Sequence, residues 1–359
     1  MQTGGVHSMT RPRFLLIKTW GWGFWSDMDH LTGQLLVAEL TGRIPVVYWS
    51  PHSLYSESLN TNAFELYYEP VSNYSIHDLL QPDYSFFPPI WNASNALVED
   101  LDKTARLHRG IGELMASKAD VAVSDVHFYS KPLLSYIPKG HWAYGLTAVQ
   151  IYRQLIRKYL RLKPDIEAEI EEFYHAHLAD HHPLLGVHIR ASDKVREVEN
   201  LKQLNRQYDK EIRETLKKGD IARLFLITDS EDVIHNFTKR YGPIIAYTEC
   251  TRASSYSANE APHLQNYIEK RRKGIEIIKD TYLATKCDYF IGNGYSNVSF
   301  FVNRLRDWPE SHIKLFYRTL KQDKKITRKR AAAEWATKEY RANQHRLQYP
   351  SLYRGDPSK

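Results

Sequence analysis

Gly186-Val187-His188-Ile189-Arg190-Ala191-Ser192-Asp193-Lys194 is the stretch whose reading decides the fold. With Leu184 and Leu185 before it, it predicts a short buried strand over 184–189 that runs into a polar turn. Side chains alternate along a strand, so His188 and Arg190 share one face. The turn adds Ser192, Asp193 and Lys194. Arginine offers a planar fork matched to phosphate oxygens, and lysine adds a point charge. At the carboxyl end of a parallel strand, this set can hold a diphosphate. The plainer alternative is a surface Arg and Lys in ordinary ion pairs.

Outward from this strand, the second half of the chain alternates strands and helices. A helix is expected over 204–218, a strand over 223–228, a helix over 231–241 and a strand over 244–247. A helix over 268–284, a strand over 289–291 and a helix over 296–305 follow. The first half begins in the same way. Phe14-Leu15-Leu16-Ile17 reads as a buried strand, followed by the loop Trp20-Gly21-Trp22-Gly23-Phe24. A helix is expected from Ser26 or Asp27, with Leu31, Leu35, Ala38 and Leu40 at helical spacing and Gly42 ending it. Ile44–Trp49 reads as the next strand, completing a βαβ unit. Residues 50–95 read as one long irregular stretch, followed by helical patterns near 95–117 and 148–180 and a strand at 121–123. The expected fold class is α/β, with two Rossmann-like, doubly wound parallel-sheet domains facing across a cleft. The boundaries read as 10–181, 182–320 and a basic tail over 321–359, with His181-His182-Pro183 at the junction.

Bulk properties narrow the classes. A chain of 359 residues suits two domains, and 42% hydrophobic with 25% charged residues is globular. Twenty-four Tyr and 8 Trp suit carbohydrate contact, although most will pack in cores. The net charge of +7 favours anionic partners. No nucleic-acid-binding signature is present, so no nucleic-acid partner is expected. Two cysteines, Cys250 and Cys287, build neither a disulfide framework nor a metal cluster. No signal peptide and no run of about 18 apolar residues is visible, so a cytoplasmic, reducing location is expected. The run Lys321, Lys324, Lys325, Arg328, Lys329 and Arg330 reads most simply as a solvated helix face, with contact to a membrane surface as the other reading.

Two further constellations carry chemistry. Thr228-Asp229-Ser230-Glu231-Asp232 places an Asp at a strand tip, while Ser230 and Glu231 are explained by helix capping. Gly292-Asn293-Gly294-Tyr295-Ser296-Asn297 is a glycine turn that opens a helix, whose free N–H groups suit an anion. A glycine turn with a serine cap is the common alternative.

Taken in order, these three patterns resemble the carboxy-terminal domain of GDP-fucose-dependent fucosyltransferases, including the α-1,6-fucosyltransferases. Those enzymes carry a G-V-H-[IV]-R strand, a strand ending T-D, and an Asp-bearing helix leading to a strand and a Ser-containing turn. Here these are Gly186–Arg190, Thr228-Asp229, and Asp280 with Tyr295-Ser296-Asn297-Val298. The resemblance covers residues 184–306 and is weaker at Gly23, Asp29 and His30. It implies a GT-B fold and an inverting, metal-independent transfer from a GDP-sugar, with no cofactor beyond that donor. It also implies that His188 and Asp280 read the guanine and that Arg190 neutralises the departing diphosphate. Ser296, Asn297 and the helix N–H groups would hold the β-phosphate, Asp229 would belong to the donor site, and Lys194 would lie near the reacting centre. The sequence departs from the pattern in two places. Ala191 stands where the animal enzymes carry a second Arg, and the loop acid falls on Val198, between Glu197 and Glu199. Glu197 or Glu199 is therefore the expected base, with Asp29 and His30 as rivals from the opposite domain.

Several alternatives stay open on the sequence. Asp27-Met28-Asp29 is a D-x-D pair of the kind that holds a metal in GT-A enzymes, or simply acids at a helix N-terminus. A dehydrogenase reading fails because Ser26 stands where the third glycine of the fingerprint belongs. A nucleotide- or glycan-binding pseudoenzyme is compatible with Ala191. The nucleotide contacts would serve GDP-mannose as well. The acceptor is expected to be a glycan hydroxyl, with Tyr84 and Trp91 of the 50–95 stretch lining its site. Nothing in the sequence indicates an oligomeric state.

Overall fold

A computed structural model of the chain describes residues 11–18, 23–58, 61–98, 111–124, 133–198, 200–257 and 269–316. Two parallel sheets form its frame. The first is built from Phe14–Lys18 (β1), Ile44–Tyr48 (β2), Phe86–Phe87 (β3) and Val121–Ser124 (β4), in the order β2-β1-β4-β3. The second is built from Leu184–Ile189 (β5), Arg223–Thr228 (β6), Ile245–Ala246 (β7), Tyr289–Asn293 (β8) and Ile313–Phe316 (β9), in the order β7-β6-β5-β8-β9. The central strand β5 is buried along its whole length, as its continuous apolar run requires between two covered faces.

Phe24–Thr41 (α1) starts two residues before Ser26, because Gly23 in extended backbone already serves as its N-cap. It ends where Gly42 adopts φ 61°, the left-handed turn that glycine takes without steric cost. Ile111–Ala116 (α2) is the described part of the next helical pattern. The 148–180 pattern divides into Ala148–Tyr159 (α3) and Pro164–His177 (α4), with Pro164 at the first helical position, where its missing N–H costs nothing. The expected 204–218 helix is a short turn, Leu201–Asn205 (α5), followed by Gln207–Lys218 (α6). Glu231–Tyr241 (α7), Lys270–Thr285 (α8) and Asn297–Leu305 (α9) lie where the periodicity places them. β7 is shorter than expected because Gly242–Ile244 forms a 3-10 turn. β9 has no strong alternation and carries no signal of its own; β8 recruits it as an edge strand.

The two sheets do not close on separate cores. One apolar cluster joins Leu15, Ile17, Phe24 and Trp25 of the first half to Leu184, Phe225, Ile227, Phe290 and Phe301 of the second. α1 lies in the middle, buried on nearly every side from Phe24 to Ala38. Polar ties cross the same junction. Trp25 donates its indole N–H to Thr281 Oγ1 at 2.8 Å and stacks on Phe301 with centroids 4.3 Å apart. Asp29 accepts from Arg304 at 2.6 Å, and Arg153 pairs with Asp307 at 2.6 Å. Smaller clusters cover the outer faces, one around Phe14, Leu16 and Trp91, the other around Val187, Ile189, Leu226 and Tyr208. Among the described residues no helix is long and apolar enough to cross a membrane.

A shared core predicts one cooperative unfolding transition for both halves. Trp25→Ala is expected to cost about 3–5 kcal/mol, the usual loss for a buried large aromatic. Calorimetry should still show a single peak at a lower Tm. Two resolved transitions in the native chain would show that the halves fold independently.

Candidate functional site

The site grows from the carboxyl end of β5. Phase along this strand separates two environments. Leu185, Val187, Ile189 and Ala191 point into the outer core beneath α6 and α7. Gly186, His188 and Arg190 take the other face, towards α8 and α9, where a Cβ on Gly186 would meet Phe290 at 3.1 Å and Cys287 at 3.2 Å. The alternation read from the sequence therefore delivers His188 and Arg190 together.

The turn after β5 is organised by Asp229, at the tip of β6. Its carboxylate accepts the N–H of Ala191 at 2.8 Å, the N–H of Ser192 at 3.2 Å and the Ser192 hydroxyl. It also pairs with Arg190 at 2.7 Å. Burial alone would raise the Asp229 pKa, but Arg190 and these donors outweigh burial and hold it below the ordinary carboxylate range. Asp193 takes a second Arg190 N–H at 2.5 Å. Two of the five guanidinium N–H groups are thus committed to fixing the arginine, and the rest stay available to a ligand. The partners of the Asp229 carboxylate among the described residues belong to the turn, which it holds in place. Ala191 is fully buried, its side chain in the outer core. A second guanidinium could not stand there without breaking that core.

His188 is 3% exposed and neutral: burial, reinforced by the Arg190 charge and opposed by Asp229, pushes its pKa down to about 3. Its Nδ1 lies 2.7 Å from Ser299 Oγ, and its carbonyl accepts from the Tyr208 hydroxyl at 2.7 Å. Asp280, on α8, accepts from the Thr248 hydroxyl. Burial raises its pKa to about 6, with Thr248 and Arg252 acting in the other direction. Arg252 clasps the loop after β7, donating to Thr248 O at 2.6 Å and to Thr228 O at 3.3 Å. His188 pairs in register with Ile227 of β6, and Arg252 ties the Thr248 loop that meets Asp280 to Thr228, at the end of the same strand.

Ser296 is the N-cap of α9 but makes no side-chain capping bond, and Asn297 is the first helical residue. Ser230 is the N-cap of α7, as expected, but its hydroxyl bonds Ser255 Oγ at 2.6 Å and makes no capping bond, while Asp232 accepts the Ser255 N–H at 2.8 Å. Lys194, 18% exposed, binds Glu197 at 2.5 Å, so this candidate base is engaged with the neighbouring cation. Glu199, the Trp20-Gly21-Trp22 turn and the tail over 321–359 lie outside the described residues.

The opposite-domain candidates are tied into the fold. Asp29 is the partner of Arg304, and His30, 1% exposed, lies 3.1 Å from Ser124 Oγ. Tyr84 and Trp91, expected at the acceptor site, both pack in the cluster on the outer face of the first sheet. Tyr84 stacks on Phe14, at the amino end of β1, far from the carboxyl edge. Trp91 is 5% exposed beneath the Lys18 ammonium, 4.0 Å from the ring centroid. The sequence reading missed Ser299, Thr248, Arg252, Asn293 and Tyr208. Ser299 and Asn293 lie in the glycine turn and first helical turn that had been singled out; the loop bearing Thr248 and Arg252 has no periodicity to flag it.

Comparisons with known proteins bear on the fold and the family. Solved structures of NodZ α-1,6-fucosyltransferase superpose with TM-scores of 0.55 for a crystal soaked with GDP-fucose and 0.54 for the enzyme from Bradyrhizobium. Each is 20% identical and covers 82% of this chain and 92% of its own. At that identity the likeness shows a shared GT-B fold. No curated protein matches the sequence. The family model for GDP-fucose protein O-fucosyltransferase matches residues 95–308, and the chain belongs to that family.

Proposed function

We propose that the chain transfers L-fucose from GDP-fucose to a glycan hydroxyl, with inversion at the anomeric carbon and without a metal. The observation that carries this reading is the placement of neutral His188 and cationic Arg190 on one face of β5, with His188 against Ser299 in the first turn of α9. The family match and the GDP-fucose complex of the structural neighbour support the choice of donor.

The proposed division of labour follows from these environments. The Asp280 carboxylate accepts the N–H donors of guanine, and His188 contacts the same base. Arg190, aimed by Asp229 and Asp193, meets the diphosphate with its remaining N–H groups. Lys194 and the free N–H groups of α9 add positive charge, and Ser296 adds a hydroxyl. Together they stabilise the charge that builds on the leaving GDP, which is the work a divalent cation does elsewhere. Asp29 supports the metal-free reading, since its carboxylate serves Arg304. The acceptor hydroxyl attacks the anomeric carbon from the face opposite the diphosphate and passes its proton to the carboxylate of Glu197 or Glu199. For Glu197 this requires leaving Lys194.

Three outcomes are expected. In a thermal-shift panel, GDP and GDP-fucose should raise Tm by mass action, while UDP, CDP and ADP should not; a preference for UDP would remove the guanine assignment. Arg190→Ala should lower kcat by about 10²–10³-fold, the usual loss for one transition-state donor, and chelator should leave native turnover unchanged. Loss of activity to chelator that Mn²⁺ restores would overturn the metal-free mechanism. GDP affinity should fall with pH, because Asp280 must be ionised to accept from guanine and its pKa is about 6. Well below that pH, Kd should rise about tenfold per unit. His188, with its pKa near 3, adds nothing to this window. Asp280→Asn should bind GDP weakly at every pH; a pH slope that survives in the variant would assign it to another group.

A further inference from the structure

We propose that Ser299 is a specificity-determining positioning residue: its hydroxyl fixes His188 as the Nε2–H tautomer, so the site presents a neutral N–H donor to the nucleobase. This rests on the donor-site reading above and goes beyond it, because it assigns the proton on His188 and the residue that places it.

The inference follows from counting donors. Ser299 is fully buried in the first turn of α9. Its Oγ accepts the backbone N–H of Asn293 at 3.1 Å and lies 2.7 Å from His188 Nδ1. Gly292 makes room for it, since a Cβ there would sit 2.5 Å from that oxygen. A hydroxyl carries one proton and two lone pairs. If Ser299 donates to Nδ1, both partners of that bond are satisfied and the histidine proton sits on Nε2, which is not sealed from solvent and stays open to a ligand. If Nδ1–H donates instead, the Ser299 proton has no acceptor among the described contacts, and an unmade bond on a buried donor carries the full desolvation penalty. The first arrangement therefore wins. Burial keeps the ring neutral, so both nitrogens are not protonated at once. Among the described residues, no hydrogen bond reaches His188 Nε2. A neutral N–H donor there favours a base with an acceptor, such as the 6-oxo group of guanine, and disfavours one presenting an amino group. The Asp280 carboxylate makes the complementary choice for N–H donors.

The test combines a ligand-free readout with a selectivity readout. Long-range proton–nitrogen NMR on protein with nitrogen-15 histidine should show His188 as the Nε2–H tautomer in the native chain; an Nδ1–H pattern would overturn the proposal. Ser299→Ala should lose tautomer purity and weaken GDP binding about tenfold, the worth of one good hydrogen bond, while the already weak ADP binding stays put. Ser299→Thr should restore both signals. If Ser299→Ala does not fold, Ser299→Cys keeps the volume with a poor donor and should show the same loss. An unchanged GDP-to-ADP ratio in a folded variant with altered tautomer would refute the selectivity role. Failure of the native chain to bind GDP would instead sink the donor-site reading, and the tautomer measurement would stand apart from it.

Discussion

The carboxylate of Asp229 is the contact on which the donor end of the molecule depends. It is buried, negatively charged and surrounded by donors that all come from the turn after β5. A buried charge is tolerable only when fully paired, and this one is paired by the chain segment that must be held in place. Arg190 is drawn to the same carboxylate, so its guanidinium is aimed before any ligand arrives. Preorganisation of this kind lets a cation stabilise charge developing on a leaving group without first moving to meet it.

That arrangement also explains the single arginine. The turn presents residue 191 to the outer core, where its alanine packs while its N–H binds Asp229. Arg190 alone faces the site. Lys194, just after β5, and the amino end of α9, just after β8, lie at the same carboxyl edge of the sheet.

The second constraint is the shared core. α1 is apolar on most sides and is buried between the sheets, which makes the two halves one packed body. Two of its buried polar residues have partners within the fold. Asp29 holds Arg304 across the junction, and His30 meets Ser124 of β4. In the aromatic stretch from 50 to 95, Trp91 and Tyr84 pack on the outer face of the first sheet and bury apolar area there.

The sequence by itself determined the alternation of strands and helices, the βαβ start, the phase of β5 and hence the pairing of His188 with Arg190. All of these follow from periodicity and glycine placement, which act locally. It also exposed Asp280 and the Ser296 turn, through a pattern resembling fucosyltransferases. Only the tertiary structure decided what each charge is for. Whether Asp229 meets a ligand or a turn, whether Asp29 is a base or a tie, and where the proton of His188 resides depend on partners 37 to 275 residues away in the chain. Such partners leave no local signature, because a hydrogen bond depends on three-dimensional distance and the sequence records only order.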